Sequence, residues 1–592
     1  CILIPFYIFK RDLNMTSLQS GKIKRIAIAV VGSGGSGVMT VGDLLLRSAA
    51  KAGWYGMMRR SSGPQIRGGE AAAYVELSTS PLESPCEYFN ILLALDWKNV
   101  ERFASEIALD KDSVVISGEA GVEFPEMVTD SGAKIWDVDL KAMLKKLKGG
   151  RTNIAALGLL GKLIGCPANI VRNTLENKFS AKALDPEVSF AALELGVQAA
   201  SQVELIMELA PPAADAEERW AITGNQAAGL GALRAGVRFV AAYPITPATE
   251  ILEWMSPRLR KVGGFLLQAE DELASINMSI GASYSGVPAL TATSGPGLAL
   301  MSESLGLAVA AEIPLVVVNV MRGGPSTGIP TKSEQTDLNL AVHGLHGDAP
   351  HLVLAPHSIP DCLWTTQWAV NLAEKLQTPA IVLSDQSLGQ TLAVTKRPRD
   401  STIKAEREVL KKVTEKYKRY ALTDSGVSPM TLPGTPDGQY TADGLEHTPE
   451  GTPSSMVEDH DAQLEKRDRK LRNFDYGDDW AEITGDGKIA VITWGSTGGT
   501  VREAVSQIDP EGNKIRLMVI RLLSPAQPDI FKKALENAER VLVVEQSYGA
   551  QFYRYLRGYF ELDERAESFS KPGPLPISST MLRDKLQEWT TV

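Results

Sequence analysis

The chain has 592 residues, a length that suggests about four domain-sized units and excludes a single compact core. It is 44% hydrophobic, 22% charged and 6% aromatic, a folded and globular composition rather than a fibrous, coiled-coil or disordered one. The net charge of −10 gives no global attraction to nucleic acid or to an anionic membrane, and neither is expected as a partner.

The chain opens with Cys1 and the short apolar stretch Ile2 to Phe9, too short to span a bilayer and lacking the flanks of a signal peptide. Residues 1–20 are therefore expected to be a leader outside the fold, with those before Met15 of unknown origin. From Lys22 the reading is strand Ile26 to Val31, glycine loop Gly32 to Gly37 and helix Val38 to Ala52. Apolar runs at Asn90 to Leu95, Ser113 to Ser117 and Lys134 to Val138 alternate with helical windows, ending in helices expected at Ile154 to Ile164 and Ala191 to Leu209. This alternation predicts an α/β unit over residues 21–208, followed by a Pro-, Ala- and acid-rich linker at 209–218.

A second α/β unit is expected over 219–395, with strands at Phe239 to Tyr243, Phe265 to Gln268, Ala289 to Thr293, Leu315 to Val320, Leu352 to Leu354 and Ala380 to Ser384. Beyond Lys396 the periodicity fails, and 396–484 reads as an extended connector that includes the highly charged Val457 to Arg472. A final α/β unit over 485–592 has strands at Ile489 to Trp494, Arg516 to Ile520 and Val541 to Glu545. The whole is a multidomain α/β protein.

Several motifs have ordinary readings. Gly32 to Gly37 satisfies GxGxxG between a strand and a helix, which suits a phosphate, but the acid of a dinucleotide fold is missing and Arg59 and Arg60 stand in that region. A tight turn near another ligand or a subunit contact is the better expectation. The polar loop Ser61 to Glu70, with Gly63, Pro64, Gln65, Arg67, Gly68 and Gly69, reads as a turn or as a ligand or interface loop. Gly485, Asp486 and Gly487, followed by Asn513, imitate a diphosphate and magnesium motif, yet they precede a strand instead of following one and read as the turn into it. His343 and His346 lack a third ligand. The four cysteines, Cys1, Cys86, Cys166 and Cys362, are too scattered for an iron–sulfur or zinc site, so no metal ligands are expected on this chain. Their sparseness points to a reducing compartment, with the cytoplasm expected.

The informative cluster lies in the second unit, at four successive strand ends. Tyr243-Pro244-Ile245-Thr246-Pro247 ends one strand at two prolines and leaves the Thr246 hydroxyl at the carboxyl edge of the sheet, where α/β proteins bind ligands. Gln268-Ala269-Glu270-Asp271-Glu272 follows an apolar strand and opens a helix. Acids there favour the helix N-terminus, and a carboxylate wedged between that strand and helix would be partly desolvated and able to exchange a proton. Thr293-Ser294-Gly295-Pro296-Gly297 permits close approach of a ligand, and Arg322-Gly323-Gly324-Pro325-Ser326-Thr327-Gly328 adds a guanidinium suited to two-point binding of a carboxylate.

This set resembles the α subunit of the 2-oxoacid:ferredoxin oxidoreductases. The matching stretches are GNQAAGLGALRAGVRFVAAYPITPATEI, LLQAEDELASINMSIGASYSG, TSGPGLALMSESLG and MRGGPSTGIPTKSEQTDL, with YTADGLEHTPEG in the connector. Residues from about 22 to 205, with GSGGSGVMT and RSSGPQIRGGE, are similar to the family's γ subunit fused ahead of α, and the last unit is similar to its transketolase C-terminal-like domain. The unit over 219–395 would then be the pyrimidine-binding, thiamine-diphosphate-type domain.

The resemblance implies roles for particular residues. Glu270 matches the glutamate that hydrogen-bonds the aminopyrimidine ring of thiamine diphosphate, favouring the tautomer whose nitrogen removes the thiazolium proton. Thr246, with Ile245 beside it, matches the threonine next to thiamine and the 2-oxoacid. Arg322 and Thr331 match residues near the substrate carboxylate. Because this chain lacks a diphosphate/Mg²⁺ motif and cluster cysteines, the resemblance implies a β subunit that supplies the Mg²⁺ and diphosphate grip and a [4Fe–4S] cluster. The expected assembly is an (αβ)₂ heterotetramer using coenzyme A and ferredoxin. The expected reaction converts 2-oxoglutarate, coenzyme A and oxidised ferredoxin to succinyl-CoA, CO₂ and reduced ferredoxin. Branched-chain 2-oxoacids, pyruvate or a non-catalytic assembly role are the alternatives.

Overall fold

A computed structural model describes residues 22–590 apart from 64–68, 180–184, 204–206, 213–217, 399, 402, 561 and 563. The expected leader, residues 213–217 of the expected linker, and Pro64, Gln65, Arg67 and Gly68 of the polar loop lie outside the described residues.

The first unit contributes β1 (Arg25–Ser33), β2 (Tyr55–Ser62), β3 (Glu70–Ser78), β4 (Ile91–Ala94), β5 (Val114–Ser117) and β6 (Lys134–Asp137). Strands β1, β4, β5 and β6 are parallel, as their intervening segments require, whereas β2 and β3 form an antiparallel hairpin that pairs with β1. That hairpin accounts for Arg59 and Arg60, which sit on β2 rather than at the end of a nucleotide-type second strand. The helix expected from Ala191 to Leu209 instead runs Pro186–Ala200. Its start is fixed by Asp185, whose side chain accepts from the backbone N–H groups of Glu187 and Val188, with Pro186 in the first turn.

Next come β7 (Arg219–Thr223), β8 (Phe239–Ala242), β9 (Phe265–Gln268), β10 (Ala289–Thr293), β11 (Leu315–Met321), β12 (Leu352–Leu354), β13 (Pro379–Asp385) and β14 (Leu392–Lys396). The last unit adds β15 (Ala481–Thr484), β16 (Ile489–Trp494), β17 (Ile515–Ile520), β18 (Leu522–Ser524), β19 (Arg540–Glu545) and β20 (Ala566–Ser570). Three sheets result, ordered β6-β5-β4-β1-β3-β2-β14-β7, β18-β12-β13-β11-β10-β8-β9 and β15-β17-β16-β19-β20.

The sheets cross the chain's sequence divisions. Strands β7 and β14 flank the second unit in sequence yet extend the first sheet, and β18 of the last unit pairs antiparallel with β12 of the second sheet. One apolar core runs without a break from Val240 and Val317 in the second sheet to Trp494 and Phe552 in the last unit. A smaller cluster, including Met57, Ala228, Cys362 and Ala393, joins the first unit to the second.

The stretch beyond Lys396, read as a connector, carries the helix Val457–Arg472. Its charged sequence disguises a buried face: Lys466 and Lys470 both reach the carboxylate of Glu312, at 2.5 and 3.1 Å. The charge that hid this helix from hydrophobic periodicity is what attaches it to the second unit.

Candidate active site

Strands β11, β10, β8 and β9 are parallel neighbours in the second sheet, so their carboxyl ends form one continuous edge. Thr246 follows β8, Glu270 β9, Ser294 β10 and Arg322 β11, and the sheet brings them together.

The Tyr243 to Pro247 turn is held from two sides. Arg322 donates from Nη1 to the Thr246 carbonyl at 2.5 Å, and Asn225 donates from Nδ2 to the Pro247 carbonyl at 2.9 Å. Ile245 packs against the core beneath, and Thr246 is half-buried. Arg322 is only 6% exposed, and burial lowers its pKa from the ordinary guanidinium value while Asp337 opposes that shift. Asp337 precedes the short helix Leu338–His343 but does not cap it. Its carboxylate instead accepts from Asn319 Nδ2 at 2.9 Å, and burial raises its pKa.

The three carboxylates after β9 take three different positions. Glu270 is exposed in the chain taken alone, on the open edge itself. Asp271 caps the following helix Glu272–Tyr284 by accepting from the Ala274 N–H at 2.7 Å. Glu272, in the first turn, is the buried one at 7% exposure. The physical reason is the cap: with Asp271 fixed at the helix start, Glu272 enters the helix pointing inward, whereas Glu270 precedes it on the solvent side. Glu272 lies against Gly297 and Thr293, and a Cβ at Gly297 would stand 2.7 Å from its Cγ and 2.0 Å from Thr293 Oγ1. The spacing strand–Glu–Asp–Glu marks the segment in the sequence. Only the capping geometry says which acid turns in.

Thr331 does not join this group. Its hydroxyl donates to the Ser62 carbonyl at 3.4 Å, and its neighbour Lys332 bonds Ser61 Oγ at 2.8 Å and also pairs with Glu106, so this part of the loop is anchored to the first unit. The loop remains tied to Arg322 through its backbone, since the Gly323 N–H donates to the Lys332 carbonyl at 2.9 Å.

Buried polar atoms without a partner among the described residues collect along the same edge: Ser294 Oγ, Asn319 Oδ1 and Arg322 Nε. Such atoms are costly unless a ligand or water completes them. Together with the Cβ-free surface at Gly297, they fit a polar heterocycle and a small acid seated against Glu272, Thr246 and Arg322. For a diphosphate and its metal the fit fails: among the described residues no group of three or more His, Cys, Asp or Glu is arranged to hold a metal ion. Gly485 to Gly487 form the tight turn between β15 and β16, where a Cβ at Gly487 would meet the Lys514 backbone at 1.9 Å.

The first unit's glycine loop is closed by its own chain. Asp96, just beyond β4, accepts from the Ser33 N–H at 2.9 Å and from Ser33 Oγ at 2.7 Å. The acid absent from the expected place thus stands here and occupies the loop as an anion would. His343 and His346 are both exposed, His343 stacking on Tyr559. No helix among the described residues is long and apolar enough to cross a membrane.

Comparison with known proteins places the chain in a family. A family model for pyruvate ferredoxin/flavodoxin oxidoreductase matches residues 27–199, and one for the thiamine-diphosphate-binding part of pyruvate flavodoxin/ferredoxin oxidoreductase matches 230–466. The chain is 30% identical over 590 residues to a 2-oxoacid:ferredoxin oxidoreductase subunit alpha of Saccharolobus solfataricus, covering 89% of this chain and 92% of the relative. It is 38% identical over 344 residues to the 2-oxoglutarate synthase subunit KorA of Methanothermobacter thermautotrophicus, covering 57% of this chain and 91% of that one. Among solved structures it superimposes with a TM-score of 0.87 and 34% identity on 2-oxoglutarate:ferredoxin oxidoreductase from Magnetococcus marinus, covering 96% of this chain and 100% of that chain. That structure holds 2-oxoglutarate, coenzyme A and succinyl-CoA. The chain belongs to the 2-oxoacid:ferredoxin oxidoreductase family.

Proposed function

We propose that this chain is the α subunit, with a γ-type unit fused ahead of it, of a 2-oxoglutarate:ferredoxin oxidoreductase. With a β subunit it interconverts 2-oxoglutarate, coenzyme A and oxidised ferredoxin with succinyl-CoA, CO₂ and reduced ferredoxin. The observation that carries the reading is the inward carboxylate of Glu272 at a strand edge shared with Thr246 and Arg322. The 2-oxoglutarate assignment draws on the Magnetococcus marinus and Methanothermobacter relatives.

The site is half of a chamber. Tyr243, in the turn after β8, and Leu273, Met278 and Leu300, on the helices that leave this edge, are large apolar side chains left exposed. A surface of that kind beside a polar cleft suits an obligate partner. The partner in this reading is the β subunit of an (αβ)₂ assembly, bringing the diphosphate and Mg²⁺ grip and the [4Fe–4S] cluster that passes electrons to ferredoxin.

Thiamine diphosphate, when bound across that interface, supplies the carbanion-stabilising chemistry that decarboxylation of a 2-oxoacid needs. Of the two acids, Glu272 is the one that presents an inward carboxylate toward the aminopyrimidine side. Thr246 offers its hydroxyl to the 2-oxo group, and Arg322 sets the Thr246 turn while presenting positive charge to the substrate carboxylate. Thr331 anchors the loop to the first unit and acts on the substrate only through that loop.

The test is a pair of substitutions in the assembled complex. Glu272→Gln should lower kcat by at least about 100-fold with assembly intact, and Glu270→Gln by less than about threefold. The opposite ranking would return the role to Glu270, and full activity in both variants would sink the catalytic reading altogether.

A further inference from the structure

Where the three units meet they enclose a cavity of about 460 Å³ beside the loops that follow β12 and β13. The first unit contributes Met57 and Leu82, the second Ile359, Leu388 and Ala393, and the last Ile577. A much smaller chamber of about 60 Å³ adjoins it, and Arg59, Ser387, Thr391 and Gln546 line both. The small chamber is polar, bounded also by Thr331 and Lys332 of the loop that follows Arg322.

The charges at this junction are mostly neutralised within the chain. Lys332 is paired with Glu106, Arg60 with Glu250, and Arg502 with both Glu83 and Glu482. Glu76, whose field Arg59 feels, is already engaged by Arg25 and by the Cys86 N–H. Arg59 itself makes no ion pair among the described residues, and its guanidinium carbon lies 5.4 Å from the centre of the Tyr74 ring. An apolar chamber of small-molecule size, with Arg59 unpaired among the described residues where the two chambers meet, selects a ligand that is apolar along its body and singly anionic at one end.

We propose that this junction binds an amphipathic monocarboxylate, its chain in the larger chamber and its carboxylate on Arg59 at the neck. The site is separate from the carboxyl edge of β8 to β11, and its assignment does not depend on the reaction proposed above. Because all three units line it, an occupant holds them together. The loop whose backbone pairs with Gly323 borders the adjoining small chamber through Lys332.

Calorimetric titration of the assembled protein with octanoate, butyrate and 1-octanol tests the proposal. Octanoate should bind saturably and raise Tm, with butyrate and 1-octanol at least tenfold weaker, since one lacks the body and the other the charge. Arg59→Gln should weaken octanoate at least tenfold, and Thr391→Phe, which plugs the neck, should abolish it. Arg59 is partly exposed and has no ion-pair partner among the described residues, so its variant decides the matter even if Thr391→Phe does not fold. Octanoate binding unchanged in Arg59→Gln, no octanoate binding at all, or equal affinity for butyrate or 1-octanol would each overturn the assignment.

Discussion

Arg322 and Thr246 are joined by a hydrogen bond of 2.5 Å from a guanidinium nitrogen to a backbone carbonyl, which ties the end of β11 to the turn after β8. The two strands are not adjacent; β10 lies between them. The bond therefore bridges the mouth of the cleft above the Ser294 turn, and Arg322 has a positioning task besides any contact with substrate.

Arg322→Lys should separate these tasks from general stability. Lysine keeps the charge but loses the planar fork, and it does not hold the Thr246 carbonyl and a carboxylate in the same geometry. The KM for the 2-oxoacid should rise at least tenfold, with the KM for coenzyme A within about twofold of wild type, as measured by steady-state kinetics of the complex. An equal rise in both would mean that the edge as a whole had collapsed.

Gly297 allows Glu272 to sit where it does. A Cβ there would come within 2.0 Å of Thr293 Oγ1 and 2.9 Å of Glu272 Oε1, and both neighbours are buried. Gly297→Ala is expected to push the carboxylate from its place, at a stability cost of about 1–3 kcal/mol. Turnover should fall more than tenfold while Tm drops only modestly. A variant that melts lower but turns over normally would show that Glu272 tolerates displacement.

Much of this site was legible in the sequence because its chemistry sits at strand ends, where prolines, glycines and hydroxyls interrupt apolar runs. Strands β9, β10, β12 and β16 fall on the expected residues. What the sequence hid depends on long-range pairing. The β2–β3 hairpin has few large apolar residues on β2 near Arg59 and Arg60 and passes for a loop until it pairs with β1. The choice between Glu270 and Glu272 turns on which acid caps a helix, and Asp271 decides that through one hydrogen bond. Asp96 lies 63 residues from Ser33, and only the parallel pairing of β1 with β4 brings it to the glycine loop.

Glu312 neutralises a buried cluster that pins the charged helix Val457–Arg472 to the second unit. Burial works against its ionisation, but Lys466 and Lys470 hold its carboxyl well below the ordinary carboxylate range. Its backbone carbonyl also accepts from Arg419 Nη2 at 2.8 Å. Glu312→Gln leaves buried cations without a counter-charge and should destabilise the chain by about 3–5 kcal/mol. Thermal melting checks this, and limited proteolysis should cut first in the stretch between Lys396 and Trp480. A loss below about 1 kcal/mol would mean that water reaches the cluster.

His357 makes the junction of the units sensitive to acid. Its Nδ1 lies 2.7 Å from Arg502 Nη2 and its Nε2 2.8 Å from Arg521 Nη2, so the ring faces guanidinium groups on both sides. Burial, and then these two arginines, lower its pKa below the ordinary 6.5, while Asp361 and Glu482 oppose the shift. A histidine depressed in the fold takes up its proton more readily when unfolded, so its contribution to stability is present above pH 6.5 and is lost as pH falls through the lower, folded value. Asp361 is held down to about 2, chiefly by His357 and Arg521 acting against burial. Its contribution is present above the ordinary 3.8 and is lost only as pH approaches 2. A decline in Tm between pH 7 and 5 that Asp361 cannot supply is therefore assigned to His357. His357→Gln, which keeps an acceptor but does not titrate, should melt lower at pH 7.5 and show a shallower decline to pH 5 in differential scanning fluorimetry. An unchanged slope in that variant would move the acid sensitivity to another group.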